Sequence, residues 1–121
     1  MAFVAISDAD RARAFYRDTL GLRLVTEDGF ALVFELHGTL LRATLLRSVT
    51  PAHFTVLGWE VADIVATVQA LEVAGVGLER FPGLAQDEHG IWTSPDGSRV
   101  AWFHDPDGNV LSVSQLATHS V

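Results

Sequence analysis

The chain opens on a short apolar run, "MAFVAIS", which predicts a strand ending at Ser7-Asp8. The period then changes. In "ADRARAFYRDTL" the residues Ala12, Phe15, Tyr16 and Leu20 recur at helical spacing, Asp8 supplies an N-cap side chain, and Gly21 stands where a helix C-cap needs positive φ. Three strands joined by tight turns follow: "LRLVTE", "FALVFELH" and "LLRATLLR", with turns at Asp28-Gly29 and around Gly38. Thr50-Pro51 breaks the pattern and opens a linker.

The second half repeats the theme. "HFTVLGWEV" predicts a strand, Asp63 caps "IVATVQALEVA" with Ile64, Val68 and Leu71 on one side, and Gly75 ends that helix. "VGLERF" is the next expected strand, followed by the hairpin "GIWTSPDGSRVAWFH" and, past Asp105-Pro106-Asp107-Gly108-Asn109, the strand "VLSVSQ". Each half reads strand-helix-strand-strand-strand, a repeat that sets the architecture. The expected class is α+β: one domain over residues 1–121, with module one at about 1–50 and module two at about 53–115. Each module has one apolar sheet face and one helix, so the two must pack together to bury their cores.

Composition narrows the function. At 121 residues, 49% hydrophobic and 19% charged, the sequence is globular rather than disordered. Asp and Glu outnumber Lys and Arg 15 to 8, a net charge of −7 that argues against a nucleic-acid partner and against an anionic membrane surface. No cysteine is present, which excludes disulfides, thiolate metal sites and cysteine nucleophiles. The N-terminus lacks the basic start and apolar run of a signal peptide, and no window reaches the length of a spanning helix, so a cytoplasmic location is expected.

Three stretches, "VAISDADRARAFYRDTLGLRLV", "LGWEVADIVATVQALEVAGV" and "AWFHDPDGNVLSV", resemble the vicinal oxygen chelate superfamily of glyoxalase I, bleomycin-resistance proteins, extradiol dioxygenases and fosfomycin-resistance enzymes. The resemblance implies paired βαβββ modules forming a curved, cup-like mixed sheet with helices on its convex side, and a homodimer. It also implies metal-ligand slots. The slot seven residues before the capping Asp falls on Met1 in the first half and on Val56 in the second. The last-strand slot, three residues after Asn109, falls on Ser112, and its counterpart in the first half is Arg42.

Met, Val, Ser and Arg supply almost none of the carboxylate, imidazole or oxygen donors that a divalent cation takes. Strand alternation supports the same slots. It turns Leu40, Arg42 and Thr44 to the cup and Leu41, Ala43 and Leu45 to the core. It turns Val56, Gly58 and Glu60 to the cup and Thr55, Leu57, Trp59 and Val61 to the helix, and it leaves Val110, Ser112 and Ser114 concave against Leu111 and Val113. No cofactor is therefore expected, and a metal would need relocated ligands such as Glu60, His53 and His104.

The remaining chemistry has two readings at each position. His37 beside its turn and His119 in the tail are expected to be solvated. His53 begins the strand leading to Val56, and His104 precedes the Asp-Pro-Asp-Gly-Asn turn; either serves structure or faces a ligand. Arg42, on an otherwise apolar face, needs an anion, supplied by Glu60, by another internal carboxylate, or by a ligand. Trp59 is expected in the core, whereas Trp92 and Trp102 belong either to packing or to an aromatic wall. "TSPDGSR" is a β-turn, since no helix follows to bind phosphate.

Two functions remain, beside a third in which the cup is vestigial and the domain acts as an interaction module. One is a metal-independent protein that binds an aromatic or anionic small molecule, as the bleomycin-resistance branch does, through Arg42, Val56, Glu60, Trp92, Trp102, His104 and Ser112. The other is an enzyme of the superfamily, a lyase, isomerase or dioxygenase, using a relocated metal or acid–base groups such as Glu60 and His53.

Overall fold

A computed structural model of the chain describes residues 1–117. The fold is mixed α+β. In the first half β1 (Ala2–Ile6) leads into α1 (Ala9–Arg13), which continues as a π-helical turn over Ala14–Thr19, and then into β2 (Arg23–Glu27), β3 (Ala31–Leu36) and β4 (Thr39–Leu45). The second half runs β5 (Thr55–Glu60), α2 (Ile64–Val73), β6 (Trp92–Thr93), β7 (Arg99–His104) and β8 (Val110–Gln115). The two sheets are ordered β1-β4-β3-β2 and β5-β8-β7-β6, so the sequence repeat is a repeat of topology. Among the described residues no helix is long and apolar enough to cross a membrane. The chain forms two compact units: one of Met1–Leu57 with Asp105–Val110, the other of Gly58–His104 with the chain from Leu111 onward.

In the first unit β1 pairs parallel with β4, and β3 pairs antiparallel with both β4 and β2. Alternate residues on these strands (Val4, Ile6, Leu32, Phe34, Leu41 and Ala43) are buried, and each large one contributes about 1.5–3 kcal/mol relative to leaving it in water. Helix α1 starts where the sequence places it, the Asp8 carboxylate accepting from the Arg11 amide at 3.0 Å. It does not continue as an α-helix to Leu20. From Ala14 the turn widens, and the Leu20 amide bonds back five residues to the Phe15 carbonyl at 2.9 Å. Tyr16 is then wholly buried, 5.5 Å from the Phe34 ring, while Phe15 is only half-buried. Gly21 has φ +75°, as its place after the helix demands. His37 and Gly38, at φ +42° and +92°, make the two-residue turn between the paired Leu36 and Thr39.

The Tyr16 hydroxyl has a specific target. It donates to Asp105 Oδ2 at 2.6 Å, inside the same unit. Asp105 is buried and accepts three further hydrogen bonds: from the Asn109 side-chain amide at 2.9 Å, and from the backbone amides of Asp107 and Asn109 at 3.0 and 2.9 Å. Asn109 also donates to the Ala5 carbonyl at 2.8 Å, the Asp107 carboxylate accepts from both the amide and the hydroxyl of Ser7, and Arg11 donates to the Pro106 carbonyl at 3.3 Å. Burial pushes the Tyr16 hydroxyl far above the ordinary tyrosine range, and the Asp105 charge adds to it, so this hydroxyl remains a donor.

In the second unit Ile64, Val68 and Leu71 of α2 are buried, and Asp63 accepts from the Ala66 amide at 3.1 Å. Phe103 lies edge-on to Trp59 at 5.9 Å, which puts Trp59 on the helix side of its sheet. The expected strand "VGLERF" is a correction: among the described residues it makes one bridge, Leu78 to Phe103, plus the Glu79 amide to the Trp102 carbonyl at 2.8 Å. The edge of β7 is shared, with β6 covering Arg99 and Val100 and Leu78–Glu79 covering the other end, so neither segment has room to extend. Gln86 organises the loop between them, accepting from the Phe81 amide and donating to the Glu79 and Gly90 carbonyls, each at 2.8 Å. Two strand ends also move: β4 stops at Leu45 and β5 starts at Thr55, which leaves His53 in an exposed bend rather than in the strand. Thr55, expected toward the helix, is exposed at that strand end. His119 lies outside the described residues.

Replacing Asp105 with Ala removes the acceptor of four donors, three of them buried, so urea unfolding is expected to show a loss of about 3 kcal/mol. Tyr16→Phe, which leaves the carboxylate one donor short, is expected to lose about 1–2 kcal/mol, and the double variant less than the sum of the two. Additive losses, or a loss under about 1 kcal/mol in Asp105→Ala, contradict a shared buried network.

Candidate functional site

In the first unit, strand alternation buries Leu41 and Ala43 of β4 and turns Leu40, Arg42 and Thr44 to the opposite face of the sheet. Arg42 is half-buried at the centre of that face. Its register neighbours are Phe3 on β1 and Val33 on β3, an exposed phenyl ring and a half-buried aliphatic side chain. Among the described residues Arg42 makes no ion pair. Its charge is felt at Asp28, whose carboxylate accepts from the Phe30 and Ala31 amides at 2.7 and 3.0 Å. Those two amides hold the Asp28 carboxyl below the usual range, and the Arg42 charge lowers it a little further.

Phe3 also lines a groove of about 310 Å³ in the same unit, with Leu46, Val49 and Val56 as its other large apolar walls and Thr50 and Asn109 as polar groups. That volume lies at the small end of ligand pockets. Val56 is the candidate residue that the groove takes in; His53 is not among its lining residues. Leu46, Val49, Thr50 and Asn109 were not candidates in the sequence. Leu46 falls near the end of the expected strand "LLRATLLR", Val49 and Thr50 follow it where alternation has ended, and Asn109 reads as a turn residue.

The other candidates lie in the second unit. Phe103 touches Trp59 on the helix side of the sheet, so Trp102 and His104 on β7 face the opposite way. Trp92 is paired in register with Val100 and lies 6.3 Å from Trp102, which puts it on the same face. Ser112 shares it too: a Cβ at Gly58 would meet the Ser112 hydroxyl at 2.4 Å, so the absence of a side chain there gives Ser112 its room. Glu60 follows Gly58 by two residues and is exposed, and its carboxylate makes no hydrogen bond or ion pair among the described residues. The structure adds two residues that the expected strand "VGLERF" had hidden. Glu79 pairs with His104 at 2.7 Å, and Phe81 meets Trp102 edge-on at 5.3 Å.

The metal slots implied by the resemblance do not fit a divalent cation. They hold a thioether at Met1, an alkyl group at Val56, a hydroxyl at Ser112 and a guanidinium at Arg42. Among the described residues no three His, Asp or Glu side chains converge on a point where an ion could sit.

A family model described as Glyoxalase/Bleomycin resistance protein/Dioxygenase superfamily matches residues 1–113. No curated protein matches the chain. Among solved structures, a member of the same superfamily from Sphaerobacter thermophilus aligns at 24% identity and TM-score 0.75, covering 95% of this chain and 94% of that one. Lactoylglutathione lyase from Agrobacterium tumefaciens aligns at 21% identity and TM-score 0.72, covering 95% and 92%. A glyoxalase/bleomycin resistance protein/dioxygenase from Alicyclobacillus acidocaldarius aligns at 18% and 0.71, covering 96% and 89%. At these identities the likeness shows the fold.

Arg42→Ala is expected to raise the Asp28 carboxyl slightly, the Phe30 and Ala31 amides still holding it low, read by carbon-detected NMR titration of the side-chain carboxyls. An unchanged Asp28 titration would mean that the guanidinium charge is held elsewhere.

Proposed function

The chain belongs to the glyoxalase/bleomycin resistance protein/dioxygenase superfamily, and on that premise we propose that it is a binding protein for an aromatic or anionic small molecule, working without the usual divalent metal. The observation that carries the reading is Arg42: a half-buried guanidinium flanked by Phe3 and Val33, with no ion pair among the described residues. Such a group is stabilised by a carboxylate, a phosphate or an enolate, and its planar fork meets two oxygens at once. Phe3 and the groove it lines give an apolar body a place to rest beside the charge. In this reading the second unit offers contact residues of its own, Trp92, Trp102, His104, Ser112 and Glu60, on the open face of its sheet. Sequestration needs affinity but no bond-breaking, which suits a face with an anion anchor and aromatic surface. We place the protein in the cytoplasm as a homodimer, with neither nucleic acid nor membrane as partner, in keeping with its net charge of −7.

The test is a thermal-shift screen of aromatic carboxylates, followed by calorimetry on the best. Arg42→Ala is expected to weaken binding about 10- to 100-fold, the range of one lost charge-assisted contact, while leaving the unfolding midpoint of the free protein nearly unchanged. Equal affinity in the variant, or no shift with any acid, overturns the proposal.

A further inference from the structure

We propose that Glu79 is a positioning residue for His104, and that the pair makes the face carrying Trp92 and Trp102 selective for aromatic ligands that bear a hydroxyl or a ring N–H. The inference rests on the reading of that face as part of a ligand site and adds the chemical class that the site selects.

Glu79 Oε1 lies 2.7 Å from His104 Nδ1, with the two side chains 35% and 41% exposed. A carboxylate at that distance favours the tautomer whose proton is on Nδ1. In the neutral ring Nε2 is then an acceptor with no hydrogen of its own. Glu79 is well anchored for this role. Its amide donates to the Trp102 carbonyl at 2.8 Å, and its carbonyl accepts from Gln86 Nε2 at 2.8 Å, so the main chain beneath the carboxylate is held on both sides.

The surroundings supply the rest. Trp102 and His104 are two residues apart on one strand, hence on one face and roughly 7 Å apart along it. That separation is close to the length of a fused bicyclic ring. Phe81 braces Trp102 edge-on at 5.3 Å, and Trp92 lies at 6.3 Å with its plane tilted by 38°. A flat ligand laid against Trp102 presents its edge to His104 Nε2. A hydroxyl or N–H on that edge satisfies the acceptor, whereas an ether oxygen in the same place leaves it unpaired.

Two measurements on the full chain test this. In the neutral ring, nitrogen-15 NMR is expected to show His104 protonated at Nδ1 and bare at Nε2. Glu79→Ala is expected to move the proton to Nε2. Glu79→Gln, whose side-chain oxygen still accepts, is expected to keep it on Nδ1. Calorimetry then compares 2-naphthol with 2-methoxynaphthalene. The wild-type chain is expected to prefer the naphthol about tenfold. That preference should fall to near unity in Glu79→Ala and in His104→Phe and should survive in Glu79→Gln. A wild-type His104 protonated at Nε2, or a preference untouched by Glu79→Ala, overturns the proposal. If neither naphthalene binds, both the ligand-site reading and the selectivity fail; a tautomer that still follows Glu79 distinguishes that result from failure of the positioning role.

Discussion

A buried carboxylate with four hydrogen-bond donors, Asp105, is the constraint on which the first unit depends. A charge removed from water is tolerable only where its lone pairs are occupied. The turn that begins at Asp105 meets the requirement in part with its own amides, Asp107 and Asn109, and in part through Tyr16 from the helical segment. With Asp105 satisfied, Asn109 is oriented to bond Ala5 on β1, and Asp107 to bond Ser7 at the start of the helix. Pro51 of the linker lies 3.2 Å from where a Cβ on Gly108 would stand, a tight approach, and φ there is +86°, which favours glycine. One five-residue turn thus braces β1, the helix start and the linker, and with them the walls of the groove that contains Phe3, Val49 and Val56.

Much of this architecture could be read in the sequence. The caps at Asp8 and Asp63, the positive-φ glycines Gly21 and Gly75 and the alternation on β4 and β8 all have local causes, and local causes leave a local pattern. What could not be read depended on partners distant in sequence. The widened turn at Ala14–Thr19 carries an ordinary helical pattern, and its connection to Asp105 spans 89 residues. The segment "VGLERF" has strand composition, but its pairing is limited by how much of β7 remains uncovered, which no single segment reveals.

The candidate site divides along the same line. Arg42 and Ser112 could be placed on their sheet faces from strand parity alone, because side chains alternate with a period of two. The contact of Glu79 with His104 required the fold, since it joins a loop to the end of a strand 25 positions on. Likewise, the groove beside Phe3 is walled in part by Val49 and Thr50, which have no periodic signal of their own. The scaffold is that of the superfamily, but the slots that the resemblance implies for a metal hold a thioether, an alkyl group, a hydroxyl and a guanidinium.

That substitution is the centre of the account, and elemental analysis of the protein purified without chelators tests it most directly. The donor chemistry of Met1, Val56, Ser112 and Arg42 predicts no divalent metal near one equivalent per chain. A stoichiometric divalent metal, lost when Glu60 or His53 is replaced, would contradict it.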